Sequence, residues 1–223
     1  MRGDRLLIEP HHTAIAAVLV DHIRRRDTPL VVTVAGESGA GKSELASEIA
    51  RLLGEVSPNG GGSAQRNRST TSAGILQQDD YFVFPPKTNH EMRRRNIEQV
   101  GLYEVKLDFL DANLRSFLRG ENPIVKPLVD YDADQIGSEE RDLSSVDVLI
   151  AEGTYTTALP HAQLRIFIDR TYHETAAHRA ERARDPFEAF IDEVLEREHR
   201  IIRSHKALAD LVVSGDYTKV VGH

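Results

Sequence analysis

Leu30-Val31-Val32-Thr33-Val34-Ala35-Gly36-Glu37-Ser38-Gly39-Ala40-Gly41-Lys42-Ser43 decides the fold of this chain. Residues 36 to 43 satisfy the phosphate-loop pattern G-x-x-x-x-G-K-[ST] in full. Leu30 to Ala35 is an apolar, β-branched run that reads as a buried strand entering the loop. Glu44 to Leu53 reads as the helix leaving it, with Leu45, Ala46, Ile49, Leu52 and Leu53 on one face. Strand, glycine loop and helix in succession are the context this motif requires.

The chemistry follows from the residue types. Glycines let the backbone curl so that successive N–H groups of Gly36, Glu37, Ser38, Gly39, Ala40, Gly41, Lys42 and Ser43 face phosphate oxygens. The helix N-terminus adds partial positive charge. Lys42 is placed to reach the β- and γ-phosphates, and the Ser43 hydroxyl to ligate Mg²⁺. A nucleoside triphosphate is the expected ligand.

The chain has 223 residues, enough for one α/β domain. Its 28 basic and 35 acidic residues give a net charge of −7, which argues against nucleic acid or an anionic membrane as partner. There is no cysteine, hence no disulfide framework, thiolate nucleophile or cysteine-bound metal. No signal-peptide pattern and no apolar run near 18 residues is present, so a cytoplasmic protein is expected. His11-His12 has no acid or histidine at helical spacing and is expected to be exposed.

Outward from the loop, Thr13 to Arg26 reads as an N-terminal helix within a 1–28 segment. Residues 54–74 are glycine- and polar-rich and read as a flexible loop insertion. Ile75 to Gln78, Val146 to Ala151, Leu164 to Asp169 and Leu211 to Val213 read as further strands, and Tyr217 to Val221 as a short edge. Pro85-Pro86 breaks the chain, and Glu104 to Leu118 reads as a helix. Ile124 to Val129, interrupted by Pro127, suits an edge strand or hairpin. Helices follow over 171–184 and 186–206. The expectation is a single α/β domain over residues 1–223, with a parallel five-stranded sheet covered by helices on both faces.

Asp79 and Asp80 follow the second strand, and Glu152 the third. In a parallel sheet these ends share one edge with the phosphate loop. Phosphoryl transfer needs one group to accept the proton of the attacking hydroxyl and another to help hold Mg²⁺. Strand-end acids also occur as solvated turn residues, but three beside such a loop favour function. Arg179, Arg182 and Arg184 follow the fourth strand and suit an arginine lid over a transferring phosphoryl group. Their alternative is an exposed helix paired with Glu181 and Asp185.

Over about residues 30 to 215 the chain resembles the uridine kinase and phosphoribulokinase group of P-loop kinases. Gln78-Asp79-Asp80-Tyr81-Phe82 is similar to the group's Q-D-S-F-Y segment, Tyr131-Asp132 to its P-x-Y-D hairpin, and Glu152-Gly153 to its E-G pair. Ala209-Asp210-Leu211-Val212-Val213 is similar to its A-D-x-x-[IV] final strand, and the arginines above to its lid. The resemblance implies a Mg²⁺- and ATP-dependent kinase acting on a small-molecule alcohol. It implies Asp79 as catalytic base and Glu152 in the outer shell of Mg²⁺. It implies Asp80 as a second acid, and Tyr81, Tyr131 and Asp132 around the acceptor. Self-association is left open.

Departures fall on the acceptor side. Ile136 and Ser138 stand where uridine kinases carry a histidine and an arginine for the nucleoside. Gly101-Leu102-Tyr103-Glu104-Val105 replaces the H-P-D-A-F segment. These changes argue against uridine itself as acceptor. Arg93-Arg94-Arg95 reads either as a solvated helical run or as a contact for an anionic acceptor. The alternative function is a nucleotide-dependent regulator acting through protein partners, and a third reading is an inactive kinase-like binding module.

Overall fold

The computed structural model describes residues 6–54, 71–175 and 189–222. Its main sheet has six strands: β1 (Leu30–Gly36), β2 (Ala73–Gln77), β5 (Val148–Glu152), β6 (Leu164–Asp169), β7 (Leu211–Ser214) and β8 (Val220–Gly222). Their spatial order is β2-β5-β1-β6-β7-β8, and the first five run parallel. β8 returns antiparallel on β7 as a sixth strand at the edge, over Val220–Gly222 and not the expected 217–221. β3 (Ile124–Asp130) and β4 (Gln135–Arg141) form a separate antiparallel hairpin.

All seven residues of β1 are buried, because helices cover both faces of the sheet. Alternate side chains go to opposite cores. Val32, Val34, Ile150 and Ile166 pack under α1 (Pro10–Ile23) and α2 (Lys42–Leu53). Val31, Leu149 and Phe167 pack with Leu110, Leu114 and Phe117 of α4 (Leu107–Leu118). Each such side chain contributes roughly 1.5–3 kcal/mol by leaving water. Among the described residues, the remaining α-helices are α3 (Pro86–Arg95) and α5 (Ala189–Ile202).

Several boundaries differ from the sequence reading. α1 begins at Pro10, a residue favoured at the first helical position, rather than at Thr13. His12 is buried, at 1 % exposure, and not exposed as expected. Its Nδ1 accepts the Glu9 N–H at 3.0 Å, which caps the helix. Glu9, His11 and His12 cluster their donor atoms within 4.8 Å, but this cap already engages the His12 Nδ1. The 104–118 helix starts at Leu107, after a 3-10 turn at Leu102–Glu104.

Pro85-Pro86 does not simply break the chain, since Pro86 starts α3. The hairpin tip supplies the cap. Asp134 accepts the Lys87 N–H at 2.7 Å and the Thr88 hydroxyl at 3.1 Å. α3 and the hairpin are thereby tied together on the acceptor side.

Candidate active site

Parallel strands bring their carboxyl ends to one edge, and the site is built there. β1 delivers residues 36–43, β2 the 3-10 turn Gln78–Tyr81, and β5 Glu152. β5 lies between β1 and β2, so Glu152 stands between the loop and Asp79.

The phosphate loop has the backbone its sequence requires. Gly41 has φ +96°, and a Cβ there would collide with Tyr217 and His12. Lys42 Nζ donates to the Glu37 carbonyl at 2.8 Å. Ser43 Oγ lies 3.2 Å from Glu152 Oε1. A hydroxyl beside a carboxylate offers hard oxygen donors of the kind Mg²⁺ takes. Burial, and then the nearby Asp79, push the Glu152 carboxyl up to about 7, with Lys42 pulling the other way. Burial also raises Asp79, opposed by Lys42. Such an excess of half-satisfied acid is what a divalent cation would offset, so these residues fit the metal implied by the sequence.

Asp79 sits at the seam of two cavities. One, of about 240 Å³, is lined by Ser38, Gly39, Gly41, Lys42, Ser43 and Glu152 together with α5. The other, of about 470 Å³, lies against α3 and is lined by Phe84, Lys87, Asn89 and His90. Asp79, Phe82, Arg93, Tyr131 and Ile191 face both. A donor in the first and an acceptor in the second would meet at Asp79.

Gly153 explains why its pair with Glu152 belongs to this site. Its φ is +155°, and a methyl there would overlap the Gln78 side chain. Gln78 Oε1 accepts the Tyr155 N–H at 2.7 Å. The turn that aims Asp79 is therefore locked against the end of β5.

Three expectations are corrected by the geometry, those for Asp80, Tyr81 and Asp132. Asp80 does not line the acceptor cavity: it is buried, accepts from Lys126 Nζ at 2.7 Å and from the Val129 N–H at 3.1 Å, and ties the turn to β3. Tyr81 is fully buried, its hydroxyl accepting from Asn113 Nδ2 at 2.8 Å. In a 3-10 turn successive side chains point about 120° apart, so neighbours of Asp79 face elsewhere. Tyr131 does face the cavities, whereas Asp132 is exposed at the hairpin tip and offers its carbonyl to Lys87 Nζ at 3.3 Å. Ile136 and Ser138 line a separate cavity of about 460 Å³ with Phe109 and Val125, away from Asp79. Arg179, Arg182 and Arg184 lie outside the described residues.

The sequence reading also missed a buried charge network. Arg93 gives two hydrogen bonds of 2.7 Å to Glu104 and one of 3.3 Å to Glu198. Arg94 instead reaches the His90 ring at 3.0 Å and lies over Phe190, and Arg95 pairs loosely with Glu91. Glu104 stands in the segment that replaces H-P-D-A-F. The three partners are separated by up to 105 positions, so no local pattern announces them.

No family model matches the chain. It is 25 % identical over 198 residues to a uridine kinase of Leuconostoc citreum, covering 83 % of this chain and 87 % of that protein. It is 29 % identical over 157 residues to a uridine kinase of Ureaplasma urealyticum, covering 68 % of each. A solved structure described as a possible uridine kinase from Bacillus stearothermophilus superposes with TM-score 0.59 at 18 % identity, covering 89 % of this chain and 97 % of that one. The structural likeness speaks for the fold, and the sequence relatives for the chemistry. In sequence the chain is thus similar to uridine kinases, phosphotransferases with an alcohol as acceptor. Among the described residues, no helix is long and apolar enough to cross a membrane.

Proposed function

We propose that the chain transfers the γ-phosphoryl group of ATP to a hydroxyl of an uncharged small molecule. The observation that carries this reading is the position of Asp79, shared by the phosphate-loop cavity and the cavity under α3. A pure nucleotide switch has no use for a carboxylate at the junction with a second cavity.

Each residue then has a role. The backbone of residues 36–43 and Lys42 hold the β- and γ-phosphates. Ser43 and Glu152 would hold Mg²⁺, which when bound would offset the charge of the phosphates. Asp79 accepts the proton of the acceptor hydroxyl as its oxygen bonds to phosphorus and the bond to ADP breaks. Lys42 and Arg93 both favour the ionised form of Asp79 that this task requires.

The acceptor class is read from its cavity. Phe82, Phe84 and Tyr131 give it aromatic walls. Arg93 is neutralised by Glu104 and Glu198, and Lys87 is tied to the hairpin through its side chain. Among the described residues, no uncommitted guanidinium waits there for an acceptor phosphate. The arginine that lines this cavity already has its charge paired, so nucleosides, sugars and polyols are favoured over sugar phosphates.

The test is ADP release from Mg-ATP against a panel of neutral alcohols and their monophosphates. Stimulation by a neutral alcohol supports the reading. Stimulation confined to phosphorylated acceptors would overturn the acceptor class, and no stimulation by any would overturn the kinase.

A further inference from the structure

The phosphate-loop motif leaves its second residue free, yet in this chain that residue is held from outside. Glu37 is buried, at 6 % exposure. Its Oε1 lies 2.7 Å from Nδ1 of His199 on α5. Its Oε2 accepts the Tyr172 N–H, just past β6, at 2.7 Å. The next residue is held as well: the Ser38 carbonyl accepts the Thr175 hydroxyl at 2.9 Å. Among the described residues, neither Glu37 oxygen accepts from the loop's own N–H groups.

A carboxylate in a loop built for phosphate is electrostatically unfavourable unless something offsets it. Here both oxygens are engaged by donors from other elements. The cost of burying the carboxylate is met only while those donors stay in place. Glu37 therefore fixes the loop backbone relative to α5, whose Ile191, Val194, Leu195 and Glu198 form the opposite wall of the nucleotide cavity.

We infer that Glu37 and His199 form a positioning pair that sets the phosphate loop for ATP, with Thr175 as a lesser third member. Neither lines the nucleotide cavity, so they act through the loop's shape and not on the reacting atoms. The inference rests on the phosphate-loop reading above.

The experiment is Mg-ATP affinity by calorimetry on the full chain, with thermal melting as a check of folding. Glu37→Ala and His199→Ala should each weaken binding about tenfold, the scale of a hydrogen bond to a charged group. The double variant should bind no worse than Glu37→Ala alone, because the contact that His199→Ala removes is already gone there. Glu37→Gln, which keeps a side-chain acceptor for Tyr172, should recover binding to within about threefold of the parent. If the alanine variants do not fold, Thr175→Val, which deletes only a hydroxyl, should still weaken binding about threefold. Additive losses, or affinities in all variants within about twofold of the parent, would overturn the pair. If the parent itself binds no ATP, the proposed function fails instead.

Discussion

Asp79 and Asp80 are adjacent in the chain and face different surroundings. Asp79 opens onto both cavities, while Asp80 is buried on Lys126 and the Val129 N–H. Lys126 is itself buried and has Glu139 as a second carboxylate at 3.2 Å. Asp80→Asn leaves that cation with one partner fewer and should cost about 3 kcal/mol of stability. Asp79→Asn should cost less than about 1 kcal/mol, since it relieves a carboxylate that burial already disfavours. Urea denaturation of both variants checks this. Equal losses would show that the two acids do not divide the work as described.

Lys42→Ala removes the cation that crosses the phosphate loop to the Glu37 carbonyl. Mg-ATP affinity or turnover should fall by at least about tenfold with little change in melting temperature. Titration calorimetry reads the binding directly. Unchanged affinity and turnover together would remove the phosphate-loop assignment.

Gly153→Ala places a methyl against Gln78 at a backbone angle of +155°. The loss should be about 2 to 3 kcal/mol, from overlap and strain combined. Because Gln78 leads into Asp79, turnover should fall more than the population of folded protein does. A variant with parental stability and rate would show that this contact is not constraining.

The strand, loop and helix at 30–53 were legible because apolar runs and glycine spacing are local signals. The strand-end acids were legible for the same reason. The direction of each side chain in the turn 78–81 was not: sequence gives spacing, whereas the hydrogen bonds to Lys126 and Asn113 come from distant elements. α3 was hidden by a proline read as a breaker when it opens the helix. β4 was hidden because its residues are mostly exposed and carry no apolar alternation. The Arg93–Glu104–Glu198 network joins three segments and has no periodic signature.

Glu152 gives a pH dependence of known sign. Its carboxyl is held at about 7 in the fold, against an ordinary value of 4.5, chiefly by burial. The folded chain then keeps a proton that the unfolded chain has released. That contribution to stability is full below about 4.5 and is lost as pH rises towards about 7. Asp79, also raised, acts in the same direction. Without Mg²⁺, the melting temperature should therefore fall more over this range in the parent than in Glu152→Gln, and Mg-ATP should reduce the difference. Parallel profiles for the two proteins would contradict the buried, metal-seeking carboxylate.

The central claim is that Asp79 accepts the proton of an acceptor hydroxyl during transfer from ATP. The direct measurement is acceptor-stimulated ADP release in parent and Asp79→Asn, beside Mg-ATP affinity in both. Transfer through Asp79 predicts stimulation in the parent, its loss by about a hundredfold or more in the variant, and Mg-ATP affinity within a few-fold of the parent. Equal stimulation in the two proteins would contradict it.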